Sequence, residues 1–260
     1  EGGLDLSRPE HRIVGHILQL RMYSKLASTY VSGIEMRLTR HKDGRLHGRF
    51  NQTVADTNRL SSSDPNLQNI PERDAGVGKA IRRMFVARPG WAILRADGSQ
   101  LEARLTAEVT GDPLLQSVYR DGAFDGDIHA ASAQAWGVDR KIAKNGNFAI
   151  IYGVERATFG STIGVSEEKA QEILRAMRVS MPGVLDMPKQ VSRMLDEKGY
   201  VETLLGWREY YPLYWSPIKS ERTHALRAAV NMRIQGLAAG IVKLWMIRAR
   251  SVMMGYSARL

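Results

Sequence analysis

The sequence lacks cysteine altogether. A disulfide framework and any metal site built from thiolates are therefore excluded, and the composition fits a reducing compartment. Long apolar stretches are also missing, since the longest, residues 237–247, is too short to cross a bilayer and contains Lys243. Neither a charged-then-apolar leader nor an internal repeat is present. We therefore expect a globular protein that is not inserted in a membrane.

Acidic residues are the minority among the charged residues. The chain has 37 Lys and Arg against 27 Asp and Glu, which gives a formal net charge of +10 and a pI near 9.9. A field of this sign attracts polyanions, nucleic acid among them. The length allows one or two domains, and 43% hydrophobic residues are enough for a core. The first residue is Glu rather than Met, which favours a processed chain or a fragment.

Helices dominate the predicted secondary structure. Apolar residues at helical spacing predict an opening helix with Pro9 in its first turn, a helix over residues 99–110, and a long helix from Lys219 to about Met253. Between residues 112 and 194 we expect a series of helices. The predicted breaks are at Gly122, Gly137, Gly153, Gly164 and Pro182.

Strand-like segments are few and short. Apolar or β-branched runs bounded by turn residues predict strands over residues 49–54, 81–86 and 91–94, and a hairpin over residues 200–212 that turns at Gly206. Residues 61–71 are polar and irregular, which predicts a loop. A few strands followed by many helices, a hairpin and a helix indicate an α+β fold rather than alternating βαβ units.

Asp97 is the first residue that indicates a functional site, namely a site for a metal ion. It follows a predicted strand and precedes Gly98, so its carboxylate could reach a hard cation such as Mg²⁺, which prefers oxygen ligands. Asp-Gly is also a common turn dipeptide, and the sequence alone leaves a plain turn open.

Four residues spaced four apart make a stronger pattern: Arg140, Lys144, Phe148 and Tyr152. On a helix each step drifts by about 40° and rises by about 6 Å, so the four form one slanting stripe. Two cations followed by two aromatic rings match a nucleoside triphosphate, with phosphates at one end and a flat base at the other. A solvated basic face whose later turns enter the core remains the alternative.

Two further segments are rich in polar side chains. Residues 59–71 carry many short hydrogen-bonding groups, which suit contacts to phosphate and sugar, although a loop rich in capping residues has the same composition. Asn231 and Gln235 lie four apart on the long helix and predict either a face for base or sugar contacts or a solvated strip.

These segments, in this order, resemble the polymerase core of family A DNA polymerases, the DNA polymerase I-like enzymes. Residues 59–71 are similar to the primer–template loop of the family, residues 97–104 to its motif A, and residues 140–153 to its motif B on the fingers helix. Residues 127–129, 200–206 and 231–236 also match the pattern. The resemblance covers nearly the whole chain.

The resemblance implies a two-metal nucleotidyl transfer from a dNTP to the 3′-hydroxyl of a DNA primer. Asp97 would hold two Mg²⁺ ions, with Mn²⁺ as a possible substitute, and the backbone carbonyl of Gly98 would be a further ligand. Arg140, Lys144 and His129 would neutralise phosphate charge, and Lys144 would also protonate the leaving pyrophosphate. Phe148 would flank the sugar and base, and Tyr152 would stack near the template base.

The resemblance also implies how sugar and DNA are recognised. Glu102 would be the steric gate that excludes a ribose 2′-hydroxyl, and Gln100 would support that pocket. Six residues would face the primer–template, some of them reading the minor groove, whose acceptors are nearly independent of sequence. They are Arg59, Gln68, Asn69, Arg227, Asn231 and Gln235.

The implied architecture is an incomplete right hand, with a small antiparallel palm sheet, palm helices and helical fingers. The base of the thumb would span residues 1–35, the palm residues 36–110 and 212–260, and the fingers residues 111–211. Primer–template DNA and dNTP would be the partners, and the location would be cytoplasmic, in a bacterium or a virus-infected cell.

Several positions depart from the family pattern. Gly98 stands where an aromatic residue is common, and Ala103 where Leu is usual. Motif B has Asn145, Gly146 and Ala149, and a glycine inside a helix costs about 1 kcal/mol relative to alanine. We therefore expect a looser mouth to the nucleotide pocket. On the long helix the replaced residues are Arg233, Leu237 and Gly240.

The third motif of the family, His-Asp-Glu, does not appear before residue 260, nor does most of the thumb. Two metal ions normally share two bridging carboxylates, and Asp97 is the only one placed convincingly. Loop or cap roles are expected for the acids that follow motif A: Asp112, Asp121, Asp125 and Asp127. We therefore expect a piece of a split or truncated polymerase, inactive alone, with other polypeptides supplying the motif and thumb. The alternatives are a single-subunit RNA polymerase-like enzyme and a catalytically silent nucleic-acid-binding subunit.

Overall fold

The structure is a computed structural model, and it describes residues 8–71, 77–151, 154 and 156–256. The chain divides into two compact units, one made of residues 1–55 and 60–97 and the other of residues 56–59 and 98–260. Helices with short antiparallel strand pairs make up the described residues of both units, which confirms the predicted α+β class.

The described residues of the first unit form three α-helices and one strand pair. Helix α1 spans Pro9–Leu26 with a proline in its first turn, as predicted, and continues through a wide turn into α2, Gly33–His41; α3 spans Val77–Arg83. Strand β1, Arg49–Asn51, pairs antiparallel with β2, Ser61–Ser63. Leu26, Tyr30, Ile34 and Ile81 form the buried core of this unit.

Four predictions for the first unit are wrong in part or altogether. Residues 61–71 are not all loop, because β2 and a 3₁₀ turn, Leu67–Asn69, occur within them. The strand predicted for residues 81–86 overlaps the end of helix α3, where Ile81 is buried. No strand forms over residues 91–94, whose side chains are exposed. The strand predicted over residues 49–54 is shorter, since only residues 49–51 pair.

From residue 98 to residue 198, the described part of the second unit forms seven α-helices, in the order that the spacing of glycines and prolines predicted. They are α4 (Leu101–Thr110), α5 (Pro113–Tyr119), α6 (Ile128–Trp136), α7 (Arg140–Ile151), α8 (Arg156–Ile163), α9 (Glu167–Ser180) and α10 (Pro182–Lys198). Side chains from α5 to α9, among them Leu115, Phe159 and Met177, form a buried core around the α6–α7 pair. Gly153 lies outside the described residues, so the break predicted there stays untested.

A hairpin and a long helix complete the second unit. Strands β3, Tyr200–Glu202, and β4, Arg208–Tyr210, pair antiparallel around a turn at Gly206, and α11 spans Lys219–Met253, both as predicted. A Cβ atom added at Gly240 would lie 2.8 Å from Cδ1 of Leu205, so the glycine lets the hairpin tip approach the helix. Within the described residues, no helix is long and apolar enough to cross a membrane.

Candidate active site

The basic-aromatic stripe lies on helix α7. Asp139 caps the helix, since its carboxylate accepts hydrogen bonds from the backbone N–H groups of Lys141 and Ile142 at 2.8 and 2.9 Å. Arg140, Lys144 and Phe148 are all exposed. The opposite side of the helix is buried, through Ala143, Gly146, Asn147 and Ala149. The stripe is therefore the solvent face of a packed helix. Tyr152 lies outside the described residues.

Helix α6 adds His129 beside this stripe. The backbone N–H groups of His129 and Ala130 donate to Oδ1 of Asp127 at 2.9 and 3.2 Å, so Asp127 caps the helix. The imidazole is half-buried, and its ring centroid lies 5.7 Å from that of Phe148. The packing of α6 on α7 thus brings together two residues separated by 19 positions in the sequence.

Asp127 also binds the first cation of the stripe. Nε of Arg140 donates to Oδ2 of Asp127 at 2.8 Å, while Oδ1 caps α6. The guanidinium of Arg140 holds the pKa of the Asp127 carboxyl below its usual range. One carboxylate therefore fixes both the start of α6 and the side chain of Arg140. The predicted cap role of Asp127 is confirmed, but its contact with Arg140 was not anticipated.

His129 sits in a positive environment. Burial lowers the pKa of its imidazole, the charges of Arg140 and Lys144 lower the pKa further, and Asp127 acts in the opposite direction. At neutral pH the imidazole is therefore uncharged, and it can act as a hydrogen-bond donor rather than as a third cation.

The first turn of α4 carries the two motif A side chains assigned to the sugar pocket. Gln100 precedes the helix in a left-handed conformation, with φ of 51°, and its Oε1 accepts from the hydroxyl of Tyr119 at 2.7 Å. Burial raises the pKa of Tyr119 to about 12, so the hydroxyl stays protonated and can donate. Glu102 is half-buried, and its Oε1 lies 3.6 Å from a guanidinium nitrogen of Arg59.

Asp97 and Gly98 are the two predicted metal ligands. Asp97 is exposed and belongs to the first unit, and Gly98 opens the second. Their carboxylate and carbonyl oxygens suit Mg²⁺ or Mn²⁺, which prefer hard oxygen donors. However, the part of the chain that the structure describes contains no cluster of three His, Cys, Asp or Glu side chains that could hold a metal ion. The donors are therefore of the right type but do not form a complete ligand set.

The predicted DNA-facing residues lie on different elements. Gln68 and Asn69 are exposed on the 3₁₀ turn of the first unit, and Nε2 of Gln68 donates to the carbonyl of Leu60 at 3.1 Å. Arg227 is exposed on α11, and Asn231 and Gln235 follow on the same helix, both half-buried. Oδ1 of Asn231 is buried, and none of the residues that the structure describes donates a hydrogen bond to it.

Comparison with known proteins gives one consistent result. The family model described as DNA polymerase family A matches residues 4–260. The thermostable DNA polymerase I of Thermus filiformis is 42% identical over 95% of this chain, and the DNA polymerase I of Pseudomonas aeruginosa is 38% identical over 94%. This chain covers 30% and 27% of the length of these two relatives.

A solved structure agrees with the sequence matches. The polymerase domain of Pol1 from M. smegmatis, in complex with DNA primer–template and dNTP, superposes with a TM-score of 0.85 and 32% sequence identity. The match covers 98% of this chain and 45% of that one. The chain belongs to DNA polymerase family A.

Proposed function

We propose that this chain supplies the nucleotide-binding and DNA-binding surfaces of an enzyme that adds dNTPs to a DNA primer along a template. The α6–α7 pair carries the proposal, because it presents Arg140, Lys144, Phe148 and His129 around one exposed face. The solved relative was determined with primer–template and dNTP, which supports both ligands. The division into thumb base, palm and fingers is part of the same proposal.

Arg140 and Lys144 would bind the triphosphate. Both are long cations on the exposed side of α7, about 6 Å apart along the helix axis, a spacing that suits neighbouring phosphates. Arg140 donates Nε to Asp127, which leaves the outer nitrogens of its guanidinium for phosphate oxygens. Lys144 would also be the proton donor to pyrophosphate, Phe148 would flank the sugar and base of the dNTP, and Tyr152 would stack near the template base.

Glu102 would act on the sugar. Its side chain is half-buried and lies within 3.6 Å of Arg59, so the carboxylate is held on one side of the pocket. A ribose 2′-hydroxyl placed there would meet a filled space, whereas a deoxyribose would not. Arg59 would then serve twice, by positioning Glu102 and by contacting the primer–template.

Asp97 and the carbonyl of Gly98 would hold the divalent cations, Mg²⁺ or Mn²⁺. When bound, such cations acidify the primer hydroxyl and stabilise the leaving pyrophosphate. A pair of cations requires a second carboxylate, and the described residues contain no cluster that could complete the set. We propose that this carboxylate lies outside the 260 residues: on the same polypeptide if the chain is a truncated polymerase, or on another one if the polymerase is split.

Uncharged groups would contact the DNA. Gln68 and Asn69 are exposed on the first unit, and Asn231 and Gln235 lie one helical turn apart on α11. The side-chain N–H groups of these amides can donate to the N3 and O2 acceptors that every base pair presents in the minor groove. Contacts of this kind check the geometry of a base pair with little dependence on its sequence.

The test is the binding of labelled primer–template with and without Mg²⁺ and the complementary dNTP. We expect the dNTP to tighten binding, and we expect Arg140→Ala or Lys144→Ala to weaken the dNTP effect by about tenfold, since each variant removes a charge-assisted hydrogen bond. Arg178→Ala, which removes an exposed arginine of α9, is the matched control and should change little.

Three outcomes would contradict the proposal. Tightening that survives Arg140→Ala and Lys144→Ala would exclude the assigned triphosphate site. Binding of DNA with no response to any dNTP would favour a catalytically silent nucleic-acid-binding subunit. Primer extension by the 260 residues alone, lost on Asp97→Ala, would show that no second carboxylate from elsewhere is needed.

A further inference from the structure

Two polar side chains are buried between helices α6 and α7. Asn147 is 1% exposed and Ser132 is 0% exposed. The buried side of motif B is otherwise formed by small or apolar residues, and a buried polar group destabilises a protein unless it is hydrogen-bonded. The roles assigned above to the stripe and to His129 do not account for either residue.

The two side chains form a connected network with His129. Nδ2 of Asn147 donates to Oγ of Ser132 at 3.0 Å, and Oγ of Ser132 lies 3.1 Å from Oδ1 of Asn147. Nδ2 of Asn147 also lies 3.2 Å from Nδ1 of His129. The amide is therefore fixed from one side by Ser132 and faces the imidazole with its nitrogen.

The chemistry of these atoms determines the tautomer of His129. An amide nitrogen carries two protons and accepts no hydrogen bond, so a bond to Nδ1 requires Nδ1 to be the unprotonated acceptor. The proton of the neutral imidazole must then be on Nε2. Protonation of Nδ1 would bring two donors together and break the bond.

We propose that Asn147 is a positioning residue of the nucleotide site: its buried amide keeps Nδ1 of His129 unprotonated, so that Nε2–H is the group of the imidazole that donates to a triphosphate oxygen. The role of Nε2–H rests on the proposed function, whereas the tautomer does not. Ser132 contacts both ends of the amide and so keeps it beside the imidazole.

The charges around His129 favour the same state. Burial lowers the pKa of the imidazole, the charges of Arg140 and Lys144 on α7 lower it further, and Asp127 at the start of α6 acts in the opposite direction. A neutral imidazole with Nε2–H can donate to a phosphate oxygen without adding a third cation to the pair already on α7.

The first test reads the tautomer directly in the unmodified chain. The sequence has 6 histidines, and ¹⁵N spectra of histidine-labelled protein distinguish a protonated ring nitrogen from an unprotonated one. His129→Gln assigns the signal. We expect a neutral His129 with Nε2 protonated at pH 7.5. A spectrum with the proton on Nδ1, or on both nitrogens, would overturn the proposal without any variant of Asn147.

The second test reverses the polarity of the contact. The carboxylate introduced by Asn147→Asp accepts a proton from Nδ1, so we expect the pKa of His129 to rise by about one unit or more. Asn145→Asp is the matched control, because it adds the same charge to an exposed position of the same helix. Equal shifts in the two variants would mean that charge alone is responsible and would contradict a directed contact.

The third test separates positioning from packing. We expect Asn147→Ala to weaken dNTP binding about fivefold, which corresponds to about 1 kcal/mol. In the His129→Gln background the same substitution should change binding little, because Asn147 acts through His129. An additive loss would identify a purely structural residue. If the unmodified chain binds no dNTP, the proposed function fails, while the tautomer is still decided by the spectra.

Discussion

At Gly98 the chain has no side chain, although the resemblance to motif A predicts an aromatic residue there. A Cβ atom at this position would lie 2.8 Å from Cη2 of Trp245 and 2.9 Å from Cζ3, closer than carbon atoms approach. The indole of Trp245, on α11, therefore takes the space in front of the glycine. A tryptophan 147 positions away in the sequence thus occupies the space that a side chain at position 98 would need.

This contact predicts that substitutions at Gly98 and Trp245 have coupled effects on the free energy of unfolding. We expect Gly98→Ala to lower the free energy of unfolding by about 1 kcal/mol, because the added methyl group must displace the indole of Trp245, which is 46% exposed and can shift. In the Trp245→Ala background the same substitution should change the free energy of unfolding little. Denaturant unfolding of the four proteins measures the coupling. Equal effects of Gly98→Ala in both backgrounds would show that the indole is not the obstacle.

At Gly146, too, the side chain of a tryptophan occupies the space that a Cβ atom would need. A Cβ atom there would lie 2.9 Å from Cζ3 of Trp136, which is buried and donates Nε1–H to Oγ of Ser180 at 3.1 Å. The indole therefore fills the buried face of α7 at Gly146. The looser mouth that the sequence predicts for the nucleotide pocket stays a prediction.

Gly146→Ala should therefore destabilise the chain, although alanine has a higher helix propensity than glycine. Alanine is favoured by about 1 kcal/mol at an open helical position, but here the added methyl group meets the fixed indole of Trp136. We expect a lower midpoint of thermal unfolding for Gly146→Ala. Gly183→Ala is not a suitable comparison, because a Cβ there would approach backbone atoms. Lys141→Ala, at an exposed position of α7, is the control.

Among the helices, α5 and α10 share one cap. Asp112 is fully buried; its Oδ1 accepts from the backbone N–H groups of Leu114 and Leu115, and its Oδ2 accepts from those of Gly183 and Val184. A single carboxylate thus satisfies the first turns of two helices that are about 70 residues apart in the sequence. The predicted cap role of Asp112 is confirmed, but the second helix was not anticipated.

Removal of this carboxylate should affect both helices. We expect Asp112→Ala to lower the free energy of unfolding by about 3 kcal/mol, because four N–H groups lose their acceptor. Asp139→Ala removes an exposed cap of α7 and should cost about 1 kcal/mol. Burial raises the pKa of Asp112 above its ordinary value of 3.8, so its ionisation opposes folding as the pH rises through the folded pKa.

The free energy of unfolding should therefore differ most between the wild type and Asp112→Ala below about pH 4. The difference should become smaller as the pH rises toward neutrality. Denaturant unfolding across this range measures it. A difference that grows with pH would contradict the raised pKa.

Elements with long, regular patterns were predicted well, and short ones were not. The spacing over α11 gave its bounds, and the glycine and proline breaks gave the order from α5 to α10, because those signals are local. Short apolar runs, such as residues 81–86, have the same composition in a strand or a helix end. Tertiary packing decides between them, and Ile81 is buried within a helix.

For the molecule as a whole, the candidate site could be predicted only in part. The stripe on α7 follows from a spacing of four, whereas the contacts of Arg140 with Asp127 and of Asn147 with His129 join residues 13 and 18 positions apart. Such pairs depend on how α6 packs on α7, which no local pattern contains. The only indication of these contacts in the sequence was Asp127, two residues before His129, and it predicted no more than a helix cap.

The net charge of +10 predicts how the whole chain responds to salt. Binding of primer–template should weaken steeply as the salt concentration rises, because each phosphate contact releases counterions. The logarithm of the binding constant should fall linearly with the logarithm of the salt concentration. If Arg227 contacts a phosphate, Arg227→Ala should reduce the slope by about 0.9. Asn231→Ala and Gln235→Ala should weaken binding at every salt concentration and leave the slope unchanged, because their side chains are uncharged. A reduced slope for either amide variant, or an unchanged slope for Arg227→Ala, would mean that the face of α11 is assigned incorrectly.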